Sequence, residues 1–267
     1  MTQWEALATI TSRVVSRYFL FATLAFVLFY IVLKKPLWFR KIQKRLPHLS
    51  DYARDVMCSA VSIAIFGLIA TITLFHMDAY NNVYRAPIEG WGAVWFVFSL
   101  VWMVLLHDAY FYWIHRFMHW KPIYRHVHLV HHRSTNPSPW TAYAFHPVEA
   151  ALEAGIIVLI AFTLPVHIVA IILFAVFQIA YNVYGHLGFE LYPQGFHKTA
   201  LGRWVNTSVS HNQHHSRFSG NYGLYFLFWD RAMGTLRSDY DHAFDRATQR
   251  APAGEVKTSG RSGGAAM

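Results

Sequence analysis

Five stretches of almost uninterrupted apolar residues limit what this chain can fold into. They are residues 18–33, 56–75, 91–106, 150–164 and 166–181. A helix needs about 20 apolar residues to cross a bilayer, and only helices and closed barrels satisfy their own backbone groups there. Residues 56–75 meet that length. Residues 91–106 meet it if their helix continues into the aromatic run 110–113. The last two stretches are short, flank Pro165 and are interrupted by Glu153 and His167. They read as a helical hairpin that enters the bilayer. Composition agrees: only 14% of residues are charged, where a soluble domain carries about a quarter. The expected fold is all-α, a polytopic membrane bundle of about four to five helices with a cytosolic, histidine-rich helical cap.

Lys34, Lys35 and Pro36 follow the first stretch without a small-residue cleavage site, so it reads as a retained helix rather than a signal peptide. Residues 34–54 carry Lys34, Lys35, Arg40, Lys41, Lys44, Arg45 and Arg54, whereas residues 77–90 carry only Arg85. The positive-inside rule puts the first loop in the cytoplasm and the second outside. The third helix then returns to the cytoplasm near His107. The formal charge of +9 comes largely from residues beside apolar segments, which suits an anionic membrane surface. No nucleic-acid partner is expected. Localisation in a bacterial inner membrane or the endoplasmic reticulum fits this pattern. Three regions follow: residues 1–90 with the N-terminal helices and basic loop, residues 91–240 as the catalytic domain, and residues 241–267 as a disordered tail. The tail is rich in Gly, Ala, Ser, Thr and Arg.

Histidine is the compositional anomaly, with 17 in the chain. Eight fall into three clusters: His115 and His119; His128, His131 and His132; His211, His214 and His215. Helix positions three and four apart share a face, so each cluster can aim two or three imidazoles at one place. Three such faces are enough for two first-row metals. Rings bunched this closely repel when protonated, and metal binding to neutral rings removes that conflict. His186, ending the last apolar helix with Asn182 one turn earlier, is a further candidate ligand. His146 can bind metal, line the pocket or hydrogen-bond a ligand. Asp108 lies seven residues before His115, on the same helical face, as a candidate to orient an imidazole; His107 opens this run. His48, His76, His126, His167, His197 and His242 read as structural.

An all-nitrogen site suits zinc, iron, copper or nickel. Eight or nine histidines exceed the three protein ligands of a catalytic zinc, and the clusters contain no bridging carboxylate. The single cysteine, Cys58, excludes an iron–sulfur cluster held by thiolates. Ligands beside the bilayer suit a lipid that enters sideways, and oxidation of an unactivated C–H bond needs metal-bound oxygen in a dry cavity. No flavin or nicotinamide fingerprint is present, so electrons must come from a separate reductase with a haem or ferredoxin carrier. A zinc-dependent membrane hydrolase and a non-enzymatic membrane haem or metal carrier remain the alternatives.

The motif words extend beyond histidine. His107-Asp108-x-x-Phe-Tyr-Trp-x-His115-Arg116, Phe145-His146-Pro147-Val148-Glu149 and His211-Asn-Gln-His214-His215 resemble the fatty acid hydroxylase and sterol desaturase superfamily. Asn221-Tyr222-Gly223 and Trp229-Asp230-Arg231 extend the last of these, and the resemblance covers roughly residues 91–240. It implies a membrane enzyme with a cytosolic di-iron centre that uses O2 and two electrons to hydroxylate or desaturate a lipid. Zinc can replace iron in purified protein of this kind. By position the implied ligands are His115, His119, His128, His131, His132, His186, His211, His214 and His215. Some members carry histidine where Asn182 stands, and the first 90 residues match no motif.

Overall fold

A computed structural model describes residues 2–249. The first helix, α1 (Gln3–Phe26), continues through a π-helical turn at Val27–Val32. It starts 15 residues before the apolar stretch that announces it. Thr2 and Glu5 explain the early start: the Thr2 hydroxyl accepts from the Glu5 N–H (3.2 Å), and the Glu5 carboxylate accepts from the Thr2 N–H (2.8 Å). This reciprocal cap satisfies two of the donors that a helix start leaves open. Helix α2 (Leu49–Thr71) likewise ends in a π-helical turn at Ile72–His76, and the Asp51 carboxylate accepts from the His48 N–H at its start.

Helix α3 (Trp91–Met118) runs unbroken through the aromatic stretch and carries the first histidine pair to its end. Two short helices follow, α4 (Lys121–Val127) and α5 (Leu129–His132), then a 3-10 turn at Pro139–Tyr143. Helices α6 (Pro147–Thr163) and α7 (Ile168–Gly185) form the hairpin around Pro165. α6 stops just before that proline, because the ring disfavours helical geometry in the preceding residue. The hairpin tip is tied down by a two-residue parallel pairing of β1 (Val83–Tyr84) with β2 (Val166–His167). Among the described residues, four helices, starting at Gln3, Leu49, Trp91 and Ile168, are long and apolar enough to cross a membrane; α6, with 17 residues, lies beside them.

The cap contains α8 (Ser208–Arg217), α9 (Phe228–Ala232) and α10 (Tyr240–Thr248). The basic loop after α1 packs on it: the Ile42 N–H donates to Gly188 O (3.0 Å), and Gln43 Nε2 donates to Thr135 O and Asn212 Oδ1. Loop and cap therefore lie on one side of the bundle. Helix α10 corrects the expectation of disorder from residue 241. Tyr240, Ala243, Phe244 and Ala247 recur at helical spacing and are buried together with Val209 and Leu227, a stripe that the polar composition of the segment conceals. Residues 250–267 of the expected tail lie outside the described residues.

Small residues let the membrane helices approach closely. A Cβ at Gly67 of α2 would overlap the Thr11 hydroxyl of α1, and one at Gly155 of α6 would overlap the Tyr110 hydroxyl of α3. We expect Gly67→Val to force α1 away from α2 and to cost about 1–3 kcal/mol, the usual range for overpacking. Thermal unfolding in detergent checks this; an unchanged midpoint would contradict the packing.

Candidate metal centre

The three histidine clusters and His186 converge at the cap end of the bundle. Nine imidazoles form two sets: His115, His119, His128, His132 and His214, and His131, His186, His211 and His215. The clusters divide between the sets in a way that a shared helical face does not foretell. The i, i+4 pair His128/His132 joins the first set and the intervening His131 the second. The i, i+4 pair His211/His215 joins the second set and His214 crosses to the first. A break between α4 and α5 at His128 helps separate these directions.

Within each set the Nε2 atoms face one another. In the first, His115–His128 and His128–His132 are 3.1 Å apart, and His119–His132 and His119–His214 are 3.2 Å apart. In the second, His186–His211 are 2.9 Å apart, His211–His215 3.2 Å and His131–His186 3.3 Å. First-row metals bind imidazole at roughly 2.1 Å, so neighbouring ligand nitrogens around one ion stand about 3 Å apart.

The outward nitrogens decide the proton positions. His115 Nδ1 donates to Tyr222 O (2.9 Å), His186 Nδ1 to Asn182 O (2.8 Å), His214 Nδ1 to Gly220 O (2.8 Å) and His215 Nδ1 to Ser134 O (3.1 Å). His128 Nδ1 donates to the Glu149 carboxylate (2.7 Å). A neutral ring carries one proton, so these five present bare lone pairs at Nε2. His115 and His128 therefore oppose lone pairs at 3.1 Å with no proton to share. Protonation does not relieve the clash. Burial holds the His186 imidazole down to about 4. Burial, then the neighbouring His115, holds His119 down to about 2. Burial leads, with neighbouring rings adding, in holding His128, His131, His132, His211, His214 and His215 well below the usual imidazole value. A cation between the nitrogens resolves the conflict, so the donor sets fit metal ions.

Buried carboxylates hold the segments that carry these rings. Asp230 accepts from the Tyr222 and Gly223 N–H groups (2.9 and 2.8 Å) and from the Thr235 hydroxyl (2.7 Å). This fixes the loop whose carbonyls orient His115 and His214. The loop needs left-handed backbone at Phe218, Gly220 and Asn221, and a Cβ at Gly220 would meet Thr235 O at 2.7 Å. Glu190 accepts from the Val209 N–H (3.1 Å) at the start of α8. Asp55 of α2 accepts from the Ser134 and Thr141 hydroxyls, both at 2.6 Å, and Ser134 O in turn receives His215. The first 90 residues thus contribute to the site through Asp55, which carries no motif to betray it. Glu149 escapes a search for ligands because its role is to orient one; its sequence signals are its place in the Phe145–Glu149 motif and in the first turn of an apolar helix.

Four further candidates lie outside the two sets. Asp108 orients no imidazole. Its carboxylate accepts from the Tyr225 and Phe226 N–H groups (2.8 and 3.1 Å), because the returning loop reaches α3 at that turn. His146 caps α6 by accepting from the Val148 N–H (3.2 Å). Asn182 acts on His186 through its backbone carbonyl, while its amide donates to Ala142 O (2.9 Å). His107 pairs with the Tyr225 hydroxyl (2.9 Å) and lines an apolar cavity. That cavity, of about 360 Å³, lies among α1, α2, α6 and α7 and reaches Asn182 and Phe145. The Phe145 ring packs 4.9 Å from that of His131.

Residues 100–235, just over half of the chain, match the family described as fatty acid hydroxylase. The chain belongs to the fatty acid hydroxylase family. It is 28% identical over 228 residues to lathosterol oxidase of Rattus norvegicus, covering 82% of this chain and 70% of the relative. It is 27% identical over 229 residues to a Delta(7)-sterol 5(6)-desaturase of Gibberella zeae, covering 86% of this chain and 62% of that protein. Lathosterol oxidase of Homo sapiens is 30% identical over 173 residues, 64% of this chain and 56% of the relative. No solved structure matches. In this family member all nine converging histidines lie inside the matched residues, while α1 and α2 precede them.

Asp108→Ala tests the reassignment of that carboxylate. It strands two backbone N–H groups, and we expect a loss of about 1–3 kcal/mol for a buried donor left unpaired. Thermal unfolding reads the loss; an unaltered midpoint would contradict it.

Proposed function

We propose that this protein is a membrane di-iron oxygenase that uses O2 and two electrons to hydroxylate or desaturate a lipid. The observation that carries the reading is the pairing of two all-imidazole donor sets with an apolar cavity that ends beside them. His115, His119, His128, His132 and His214 would hold one ion, and His131, His186, His211 and His215 the other. Ions bound there would supply the activation of O2 and the oxidising power needed at an unactivated carbon. Every other task falls to the chain. The carbonyls of Tyr222, Asn182, Gly220 and Ser134 and the Glu149 carboxylate hold protons at Nδ1, keeping each Nε2 free to bind metal. The apolar wall, with Phe145 against His131, excludes water and positions the lipid. Sterol-oxidising relatives make a sterol or similarly apolar molecule the substrate class to try first.

The absence of a carboxylate from either donor set, among the described residues, favours this reading over a two-zinc hydrolase. Electrons would come from a separate reductase and its haem or ferredoxin carrier. The positive-inside rule places the basic loop, and the metal sets on its side, in the cytoplasm.

The test is a lipid profile of cells with and without the protein under 18O2. A product carrying one labelled oxygen marks hydroxylation, and an unlabelled product two hydrogens lighter marks desaturation; His131→Ala should abolish either. An unchanged profile with iron-loaded protein and a competent reductase would overturn the assignment. Glu149→Gln weakens the acceptor for His128, and we expect metal affinity to fall about 10–100-fold, as for other residues that orient a ligand histidine. Competition with a chelator measures this; wild-type affinity would mean that Glu149 does not tune His128.

A further inference from the structure

In sequence His197 stands apart from the three histidine clusters, and in the fold it belongs to neither donor set. It lies in a 3-10 turn, Phe196–Lys198, packed on α10 with its ring 4.4 Å from that of Phe244. Its side chain has no exposed surface. Neither ring nitrogen has a hydrogen-bond partner among the described residues. A buried polar group without one is costly and rare. Burial holds the imidazole below its ordinary value. At neutral pH the ring is therefore uncharged and keeps a lone pair for a partner.

What this ring faces is a pair of carboxylates. His197 Nε2 lies 3.8 Å from Asp245 Oδ1 and 4.0 Å from Asp241 Oδ1. Both distances exceed hydrogen-bond reach. Asp241 and Asp245 are four residues apart on α10, hence on one face, where two like charges destabilise a helix. Lys198 Nζ offsets this in part by donating to Asp245 Oδ2 (2.8 Å). Asp245 Oδ1 and both Asp241 oxygens accept no hydrogen bond among the described residues. The Asp241 side chain is 63% exposed, so an ion from solution can reach it.

We propose that His197, Asp241 and Asp245 bind one divalent cation of the zinc type, at a site separate from the nine converging imidazoles. Zinc takes imidazole nitrogen and carboxylate oxygen at about 2.0–2.2 Å in tetrahedral geometry, which sets neighbouring ligands roughly 3.4 Å apart. The observed separations need close by only about half an ångström to reach that spacing, and the exposed Asp241 side chain can swing to do so. The ion neutralises the carboxylate pair and gives His197 Nε2 its partner, with water completing the coordination. An imidazole among the donors favours zinc over calcium or magnesium, which take oxygen. Bound there, the ion ties the Phe196–Lys198 turn to α10. Tyr240, Ala243 and Phe244 of α10 pack with Val209 of α8, and α8 carries His211, His214 and His215. The ion is thus a clamp on the support of the metal centre. Both carboxylates lie beyond the residues, 100–235, that match the family, and the site stands independently of the oxygenase reading.

The test uses the untagged full chain in lipid nanodiscs, loaded with iron beforehand, with Zn2+ as the probe at neutral pH. The comparison is Asp241→Asn/Asp245→Asn, whose amides keep the shape of the carboxylates; its unfolding midpoint without zinc is the control for folding. Equilibrium dialysis should find one more Zn2+ per chain on the wild type than on the double variant, a difference in which uptake by the imidazole sets cancels. At zinc about tenfold above its Kd, amide exchange in α10 and at residues 196–198 should slow about tenfold in the wild type and stay unchanged in the variant. Should the double variant lose its fold, Asp241→Asn alone carries the test, because it alters an exposed residue that accepts no hydrogen bond; its zinc Kd should rise. Equal zinc counts on the two folded proteins, or an unchanged Kd in Asp241→Asn, overturn the proposal. Zinc uptake that leaves α10 unprotected marks adventitious binding elsewhere and also overturns it.

Discussion

Nine neutral imidazoles aimed inward make an arrangement that repels itself, and much of the cap can be understood as the means of enforcing it. Lone pairs on His115 and His128 face each other at 3.1 Å because each ring has its proton committed on the far side, to Tyr222 O and to Glu149. Burial removes the alternative of charging the rings. The orienting groups must therefore be rigid. Asp230, Glu190 and Asp55 supply that rigidity by gathering backbone and hydroxyl donors from the segments that present the histidines. None of these carboxylates belongs to either donor set, so they stiffen the scaffold without competing for its centre.

The membrane helices complete the arrangement from below. α3 delivers His115 and His119 at its cap end, α6 delivers Glu149 in its first turn, and α7 delivers His186 just past its last. A close contact at Gly155 brings α6 against α3, and one at Gly67 brings α2 against α1. The space left among α1, α2, α6 and α7 opens a path in the apolar phase that ends at Phe145 and Asn182. Phe145, at the end of that cavity, packs its ring 4.9 Å from that of His131, and Arg13, Arg17, Glu153 and Gln178 line the same space.

Much of this was legible in the amino-acid sequence, for identifiable reasons. Apolar length announced the helices, and regular histidine spacing announced the clusters, because both are periodic signals. The assignment of His131 and His214 across the two sets was not legible, since it depends on how α5 and α8 face each other in space. Asp108 illustrates a similar limit. Helical spacing puts it on the face of His115, yet its partners come from a loop more than a hundred residues later. Helix α10 hid behind polar composition, although Tyr240, Ala243, Phe244 and Ala247 carry its stripe. Glu149 and Asp55 were hidden for another reason: each acts on a histidine distant in sequence, so no local pattern records the pairing.

The central claim is that the two donor sets each hold one metal ion. Anomalous diffraction at the iron edge, on crystals of protein from iron-replete cells, tests it most directly. The account predicts two peaks per chain, one among His115, His119, His128, His132 and His214 and one among His131, His186, His211 and His215. A single peak, or metal bound elsewhere while the imidazoles stand empty, would contradict it.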